Sequence, residues 1–394
     1  MTILFFTEFA DVGTTAPGFA IRSLALARHL SQMGLSIAVL TPEIVPASRA
    51  SDGLRWLAFA PRKVRRGSEW GPWSILRFDF ESARVFFGVL RRENPEAVIA
   101  ALHDPLLAFL IMIASRIVCG TVVFDVHDSW LVLEKEHSGR WKNKFRKVLE
   151  RAAMLVATKV TTVTPTLKQM ISRSYRIPSG KIKVVFSGAE LTSATRLQQR
   201  NLERDVDLLH LGGPRPYYDT ETFLDALSIL EGQGFSCSTV FLGFGDDSYL
   251  RRVKKRVDTL GLASHVVFLP SVRQNEVSNW LARTKAGVHT LAPDPTYRCA
   301  IGIKIFEYLA NGVPILHLGP PDGETAELIA RTGSGVCASD ALGMAEAIRR
   351  TLSDSAGLAR MSSNARHAAL QFSWESSALN MAEALGFAKE APLS

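Results

Sequence analysis

Short apolar runs, several of them closed by glycine or by a His-Asp pair and most followed by a helical stretch, recur along most of this chain. The first is Ile3–Phe6. A loop carrying Gly13 and Gly18 follows, then a helix to Gly34 with Ile21, Leu24, Ala25, Ala27 and Leu30 at apolar positions. A second run, SIAVLTP, occupies 36–42. Strand, loop, helix, strand is the βαβ unit of a doubly wound parallel sheet. The loop is not a dinucleotide fingerprint, because its glycines are five apart and no acidic residue ends the second strand. The alternation restarts at 207 with DLLHLGG, a helix over TETFLDALSILEGQG capped by Thr220, then TVFLGFG, HVVFLPSV and AGVHTLAP. A chain of 394 residues exceeds one ordinary core and divides into two domains of about 200 residues each. The polar stretch 191–204, LTSATRLQQRNLER, reads as the linker. The expected division is therefore 1–190, 205–372 and a closing segment, 373–394.

The stretch Tyr297–Pro314, YRCAIGIKIFEYLANGVP, carries the sharpest chemistry. Ile303, Phe306, Leu309 and Ala310 fall at near-helical spacing, and Asn311-Gly312 followed by Pro314 ends that helix before the strand PILHL. Gly302 precedes it, so the N–H groups of Ile303 and Lys304 are open to an anion that the helix dipole favours. Glu307, one turn further, offers a carboxylate to hydroxyl donors. An anion beside a diol describes a nucleoside diphosphate with its ribose; an amphipathic helix behind an ordinary turn is the plainer reading. Gly212-Gly213 and Gly243-x-Gly245 are further glycine turns at strand ends, where backbone approaches a ligand or turns tightly.

Two runs in the first half end in imidazole and carboxylate: AVIAALHDP at His103-Asp104-Pro105, and TVVFDVHDSW at Asp125, His127 and Asp128. Ligands of open α/β sheets collect at the carboxyl ends of strands. His103 and His127 are accordingly candidates for positioning or proton handling near neutral pH.

Cys119, Cys237, Cys299 and Cys337 are far apart, which fits a reducing cytoplasm and offers no metal or disulfide framework. The start, MTILFFTEFADVG, lacks a basic region and reads as a strand rather than a signal peptide. Leu106–Ala114 is apolar but half the length of a membrane span, so a buried helix is expected. Residues 1–190 hold 26 Lys+Arg against 16 Asp+Glu, and the remainder 20 against 22. The excess of cations clusters with aromatics in 62–92 (Arg62, Lys63, Arg65, Arg66, then Trp70, Trp73, Phe78, Phe80, Phe86 and Phe87) and in 135–151. Both segments suit an anionic membrane surface. A solvated loop with a core helix, and a surface helix with its apolar stripe turned inward, remain the alternatives. No nucleic-acid motif is present.

K-I-F-E-Y-L-A-N-G-V-P-I-L resembles the nucleotide-sugar segment of retaining GT-B glycosyltransferases of family 4, and the pattern-level resemblance covers nearly the whole chain. It implies an α/β fold of GT-B architecture, two Rossmann-like doubly wound domains facing a central cleft, with the last helix packed back on the first domain. Gly302 would meet the donor phosphates and Glu307 the ribose, while Cys299 stands where the family has its first glutamate. Gly18, with Arg22 after it, resembles the family's first phosphate loop. His103 and His127 resemble positions near the transferred sugar and the acceptor. The family's Arg and Lys after the first glycine of the second domain are here Gly213 and Tyr218, so Arg215 and Lys304 are the candidates for the missing charge. The donor set is thus Gly18, Gly212, Gly213, Arg215, Gly243, Gly245, Gly302, Ile303, Lys304 and Glu307. The resemblance implies transfer from a nucleoside-diphosphate sugar, most often a UDP-sugar, to a lipid-linked or glycan acceptor in cell-surface polysaccharide or glycolipid synthesis. No cofactor and no bound metal is implied, and Asp205-x-Asp207 reads as accidental. The setting would be cytoplasmic, peripheral at the inner face of the membrane. A catalytically silent membrane-associated binding protein and a sugar-nucleotide epimerase of related fold are the rivals.

Overall fold

The structure, a computed structural model, describes residues 2–7, 18–41, 53–58, 72–134, 139–191 and 204–387. The glycine loop before Gly18, the cations at 62–66 and most of the expected linker lie outside them. The chain forms two compact units, one from the residues up to Phe186 with those from Trp374 on, the other Ser187–Ser373.

The first unit holds seven parallel strands: β1 (Thr2–Thr7), β2 (Ser36–Thr41), β3 (Arg55–Ala58), β4 (Ala97–Ala101), β5 (Thr121–Val126), β6 (Lys159–Thr162) and β7 (Ile182–Val184). They lie in the order β3-β2-β1-β4-β5-β6-β7. β1 pairs with β2 and β4, so the winding direction reverses between β1 and β4, where doubly wound sheets bind ligands. The strands are near-continuous apolar runs because helices cover both faces. These are α1 (Gly18–Gln32), α2 (Pro72–Glu93), α3 (Pro105–Val118), α4 (Trp130–Leu133), α5 (Arg140–Val156) and α6 (Pro165–Tyr175). Asp104 caps α3, accepting from the N–H groups of Leu106 and Leu107, with Pro105 at the first helical position. α3 contains the apolar run 106–114, and no helix among the described residues is long and apolar enough to cross a membrane. Phe86 of α2 is fully buried, edge-on to Phe6 of β1, while Phe80 is exposed. That part of the aromatic segment belongs to the core.

The second unit repeats the plan with β8 (Val206–Leu211), β9 (Thr239–Leu242), β10 (Val266–Leu269), β11 (Thr284–Thr290), β12 (Ile315–Leu318) and β13 (Gly335–Ala338). Their order is β10-β9-β8-β11-β12-β13, so the reversal falls between β8 and β11. The helices are α7 (Thr220–Gly232), α8 (Asp247–Thr259), α9 (Gln274–Ala282), α10 (Ile303–Ala310), α11 (Glu324–Thr332), α12 (Ala341–Ser353) and α13 (Ser355–Ala369). A further helix, α14 (Trp374–Ala384), belongs to the first unit and puts Ala378, Met381 and Ala382 into its core beside Leu24 and Leu26 of α1. The cap of α7 is Asp219, whose carboxylate accepts from the Thr222 N–H at 3.4 Å. Thr220 is buried instead, one residue inside the helix.

Candidate functional site

In the second unit, the chain leaves β8 into Gly212-Gly213-Pro214 and β9 into Gly243-Phe244-Gly245. Gly212 and Gly243 have φ of 91° and 141°, where other residues are strained. A Cβ on Gly213 would fall 2.3 Å from the Gly245 nitrogen, and one on Gly245 2.4 Å from the Pro214 oxygen. The two turns therefore touch backbone to backbone. Their amides are spent inside that contact: Gly212 donates to Leu242 O at 2.7 Å, Gly213 to Phe244 O at 3.2 Å and Gly243 to Leu269 O at 3.0 Å. Loop packing thus accounts for glycine at 213, 243 and 245 without a ligand, and the N–H groups of Gly212, Gly213 and Gly243 already have backbone acceptors.

The open amides belong to α10. Gly302 caps it without a side-chain bond, so the first-turn N–H groups of Ile303 and Lys304 lack one. Ile305, Phe306, Tyr308, Leu309 and Ala310 are buried. Ile303, Lys304 and Glu307 are half-buried on one stripe of the helix. Tyr308 sets this orientation: its hydroxyl accepts from the Leu211 N–H at 2.9 Å and lies 2.9 and 3.1 Å from Leu209 O and Val288 O. Its ring occupies the space a Cβ on Gly287 would take.

Lys304 is the unusual member. Its Nζ is cut off from solvent and has no hydrogen-bond partner among the described residues. It lies 4.0 Å from the Tyr218 ring centroid and 3.4 Å from where a Cβ on Gly212 would sit. Burial, reinforced by the Arg215 charge, pushes its pKa down to about 7. An ammonium buried without a counter-charge is costly, and an anion at the start of α10 would relieve that cost. Arg215 itself is exposed on the turn beyond Pro214.

Cys299, in the position of the family's first glutamate, is buried on the short turn Pro295–Cys299 with Sγ 3.4 Å from Thr296 O. Asp205 is paired with Arg283, and Asp207 with Lys285 at 2.7 Å and Ser238. Both carboxylates thus have structural work.

In the first unit, His103 follows β4 and His127 follows β5, with ring centroids 6.0 Å apart, so the fold brings these two candidates together. Phe19, at the start of α1 next to Gly18, packs on His103 at 4.0 Å. Asp125 is fully buried and takes bonds from Arg22 at 3.1 Å, Thr161 Oγ1 at 2.6 Å and His127 Nε2 at 2.6 Å. Against the pull of burial, Arg22 and His127 hold its carboxyl well below the carboxylate range. Arg22, which follows Gly18, thus pairs with Asp125. Burial lowers the His127 pKa, so the neutral ring carries its proton on Nε2 towards Asp125 and leaves Nδ1 bare. Trp130 Nε1 donates to the His103 carbonyl at 3.0 Å. Trp130 is anchored by Glu150, which also accepts from Ser129 and Tyr175, and burial pushes Glu150 up to about 7.

α5 buries Asn143 and Glu150 beside Ala153 and Met154, while Trp141 (82% exposed), Phe145 (60%) and Val148 (57%) form an outward stripe. Arg140, Lys144 and Lys147 line a pocket of about 500 Å³ at its start, with Asn143 and Glu134. The apolar stripe faces outward, not inward.

Residues 18–188 match the family model of a glycosyl transferase 4-like domain, and residues 205–354 that of glycosyl transferases group 1. Among solved structures, a sucrose-phosphate synthase from Thermosynechococcus elongatus superposes with a TM-score of 0.74 at 18% identity, over 97% of both chains. Anabaena HepE, solved with UDP-glucose, does so at 0.72 and 18%, over 98% of this chain and 99% of that one. A D-inositol 3-phosphate glycosyltransferase from Nocardioides is 30% identical over 118 residues, 30% of this chain and 25% of the relative's length. With one model on each Rossmann-like unit, the chain is a glycosyltransferase made of a glycosyl transferase 4-like domain followed by a glycosyl transferases group 1 domain.

Proposed function

We propose that this glycosyltransferase transfers a sugar from a nucleoside diphosphate, UDP first among them, to a lipid-linked or glycan acceptor with retention of anomeric configuration. The observation that carries the reading is Lys304, whose buried ammonium has no hydrogen-bond partner among the described residues and sits between the Gly212 turn and the first turn of α10, three residues before Glu307. Negative charge grows on the diphosphate as the anomeric C–O bond breaks. The N–H groups of Ile303 and Lys304 and the Lys304 ammonium are placed for that charge, and each such donor is typically worth roughly 3 kcal/mol. Glu307 accepts from the ribose hydroxyls. UDP is favoured because the similar Anabaena structure was solved with UDP-glucose.

The first unit would serve the acceptor. His103, after β4 beside the sheet's reversal, and His127, after the neighbouring β5, supply imidazole edges, and His127 acts there through its bare Nδ1. The α5 stripe and its cations would rest on an anionic membrane, which brings a lipid-linked acceptor to the enzyme at the cytoplasmic face. Titration of the whole chain with UDP, GDP and ADP, alone and as sugars, tests the donor site. Glu307→Ala and Lys304→Ala should each weaken UDP binding at least tenfold, and unchanged binding in both would end the reading. Turnover of the sugar nucleotide without any acceptor, giving an isomer, would favour an epimerase instead.

A further inference from the structure

β11 and β12 run parallel with His289 opposite His317, so the two imidazoles share one face of the sheet. They stack with centroids 5.0 Å apart, and both are buried. His317 Nδ1 lies 3.1 Å from the His289 carbonyl oxygen and 3.2 Å from His289 Nδ1. A carbonyl oxygen only accepts, so the proton between these atoms sits on His317 Nδ1. His289 Nδ1 faces that proton as an acceptor. A neutral imidazole has one N–H, which places His289's on Nε2.

Burial, the neighbouring His317 and the Lys304 charge all disfavour a cation at His289. Its Nε2 lies 3.3 Å from where a Cβ on Gly302 would sit, at the cap of α10. Gly302 has φ of −70°, an ordinary backbone that needs no glycine. A side chain there would instead crowd the His289 ring edge behind it by a few tenths of an ångström. The partner ring also carries a cost: His317 Nε2 is buried with no hydrogen-bond partner among the described residues. A leucine would fill that space without leaving a bare lone pair.

We infer that His289 is a donor-binding residue that presents a neutral Nε2–H to the diphosphate at the start of α10, and that His317 is the positioning residue that locks its tautomer. This rests on the donor site proposed above, and adds to Lys304 a hydrogen-bond donor that brings no second buried charge. Nitrogen-15 correlation spectra of the histidine rings, assigned by His289→Gln and His317→Asn, test it on the folded chain. Expected are an Nε2–H tautomer at His289, an Nδ1–H tautomer at His317, and a shift of the His289 Nε2–H on adding UDP. UDP affinity should fall about tenfold or more in His289→Leu. His289→Gln, whose amide nitrogen reaches the Nε2 position, should recover most of it. An Nδ1–H tautomer at His289, or UDP binding unchanged in His289→Leu while Lys304→Ala loses it, overturns this inference and spares the donor site. No binding of UDP, GDP or ADP by the unaltered chain overturns both.

Discussion

Lys304 ties stability, pH and ligand together at a single atom. Its pKa near 7 means that the nucleotide-free protein carries only part of that charge at neutral pH. A bound diphosphate raises the pKa, so binding takes up a proton, and UDP affinity should fall as the pH rises from 7 to 9. Calorimetry in buffers of different ionisation enthalpy would show the uptake. The same depression acts on folding: the unfolded chain binds more protons between pH 7 and 10.5, so this lysine's contribution rises towards the alkaline end of that window. Lys304→Met should abolish UDP binding yet raise the melting point by a few degrees, since about 1 kcal/mol is worth ~2–4 °C in a domain of this size. A melting point that drops would mean that the ammonium has a partner in solution. The sequence showed a lysine near the right place but not its isolation, which depends on Tyr218 and Gly212 closing over it. His289 and His317 were less legible still. Each lies inside an apolar run, and only the parallel register makes them neighbours.

At the scale of elements, α10 was readable because its cap, apolar spacing and Asn-Gly-Pro ending are all local. The turns around Gly213 and Gly245 were not, because their glycines answer to each other across 32 residues rather than to the chain nearby. Gly213→Ala would force backbone against backbone, and a cost of about 1–3 kcal/mol is expected in urea unfolding. UDP binding should weaken with it, because Lys304 rests on Gly212. β3 and β13 escaped the sequence reading because each is an edge strand whose described residues are partly buried or exposed, so no continuous apolar run marks it. α5 was legible as amphipathic, but its direction was not: Glu150 and Asn143 go inward because Ser129, Trp130 and Tyr175 hold the carboxylate. Trp141→Glu with Phe145→Glu should therefore leave the unfolding free energy within about 1 kcal/mol and remove flotation with anionic vesicles. Equal flotation with neutral and anionic lipid would exclude the charge-based contact.

For the whole molecule, both sheets wind in the same order and reverse between their first and fourth strands, which puts the second unit's proposed anion site, after β11, and the first unit's His103, after β4, at equivalent places. The period of the apolar runs revealed that plan, whereas the exchange of α14 into the first unit depends on tertiary packing. Ending the chain after Ser373 removes Met381 and Leu385 from that core, a loss of roughly 3–6 kcal/mol at 1.5–3 each. The first unit's unfolding transition should drop while the second unit still binds UDP. Loss of UDP binding on that truncation would show that the units do not hold their structures separately. The late arrival of α14 also sets a timetable for synthesis. The amino-terminal half leaves the ribosome first yet must wait through all of Ser187–Ser373 for its last core helix. A nascent chain therefore completes its middle before its beginning, with a greasy groove beside α1 open to chaperones in the interval.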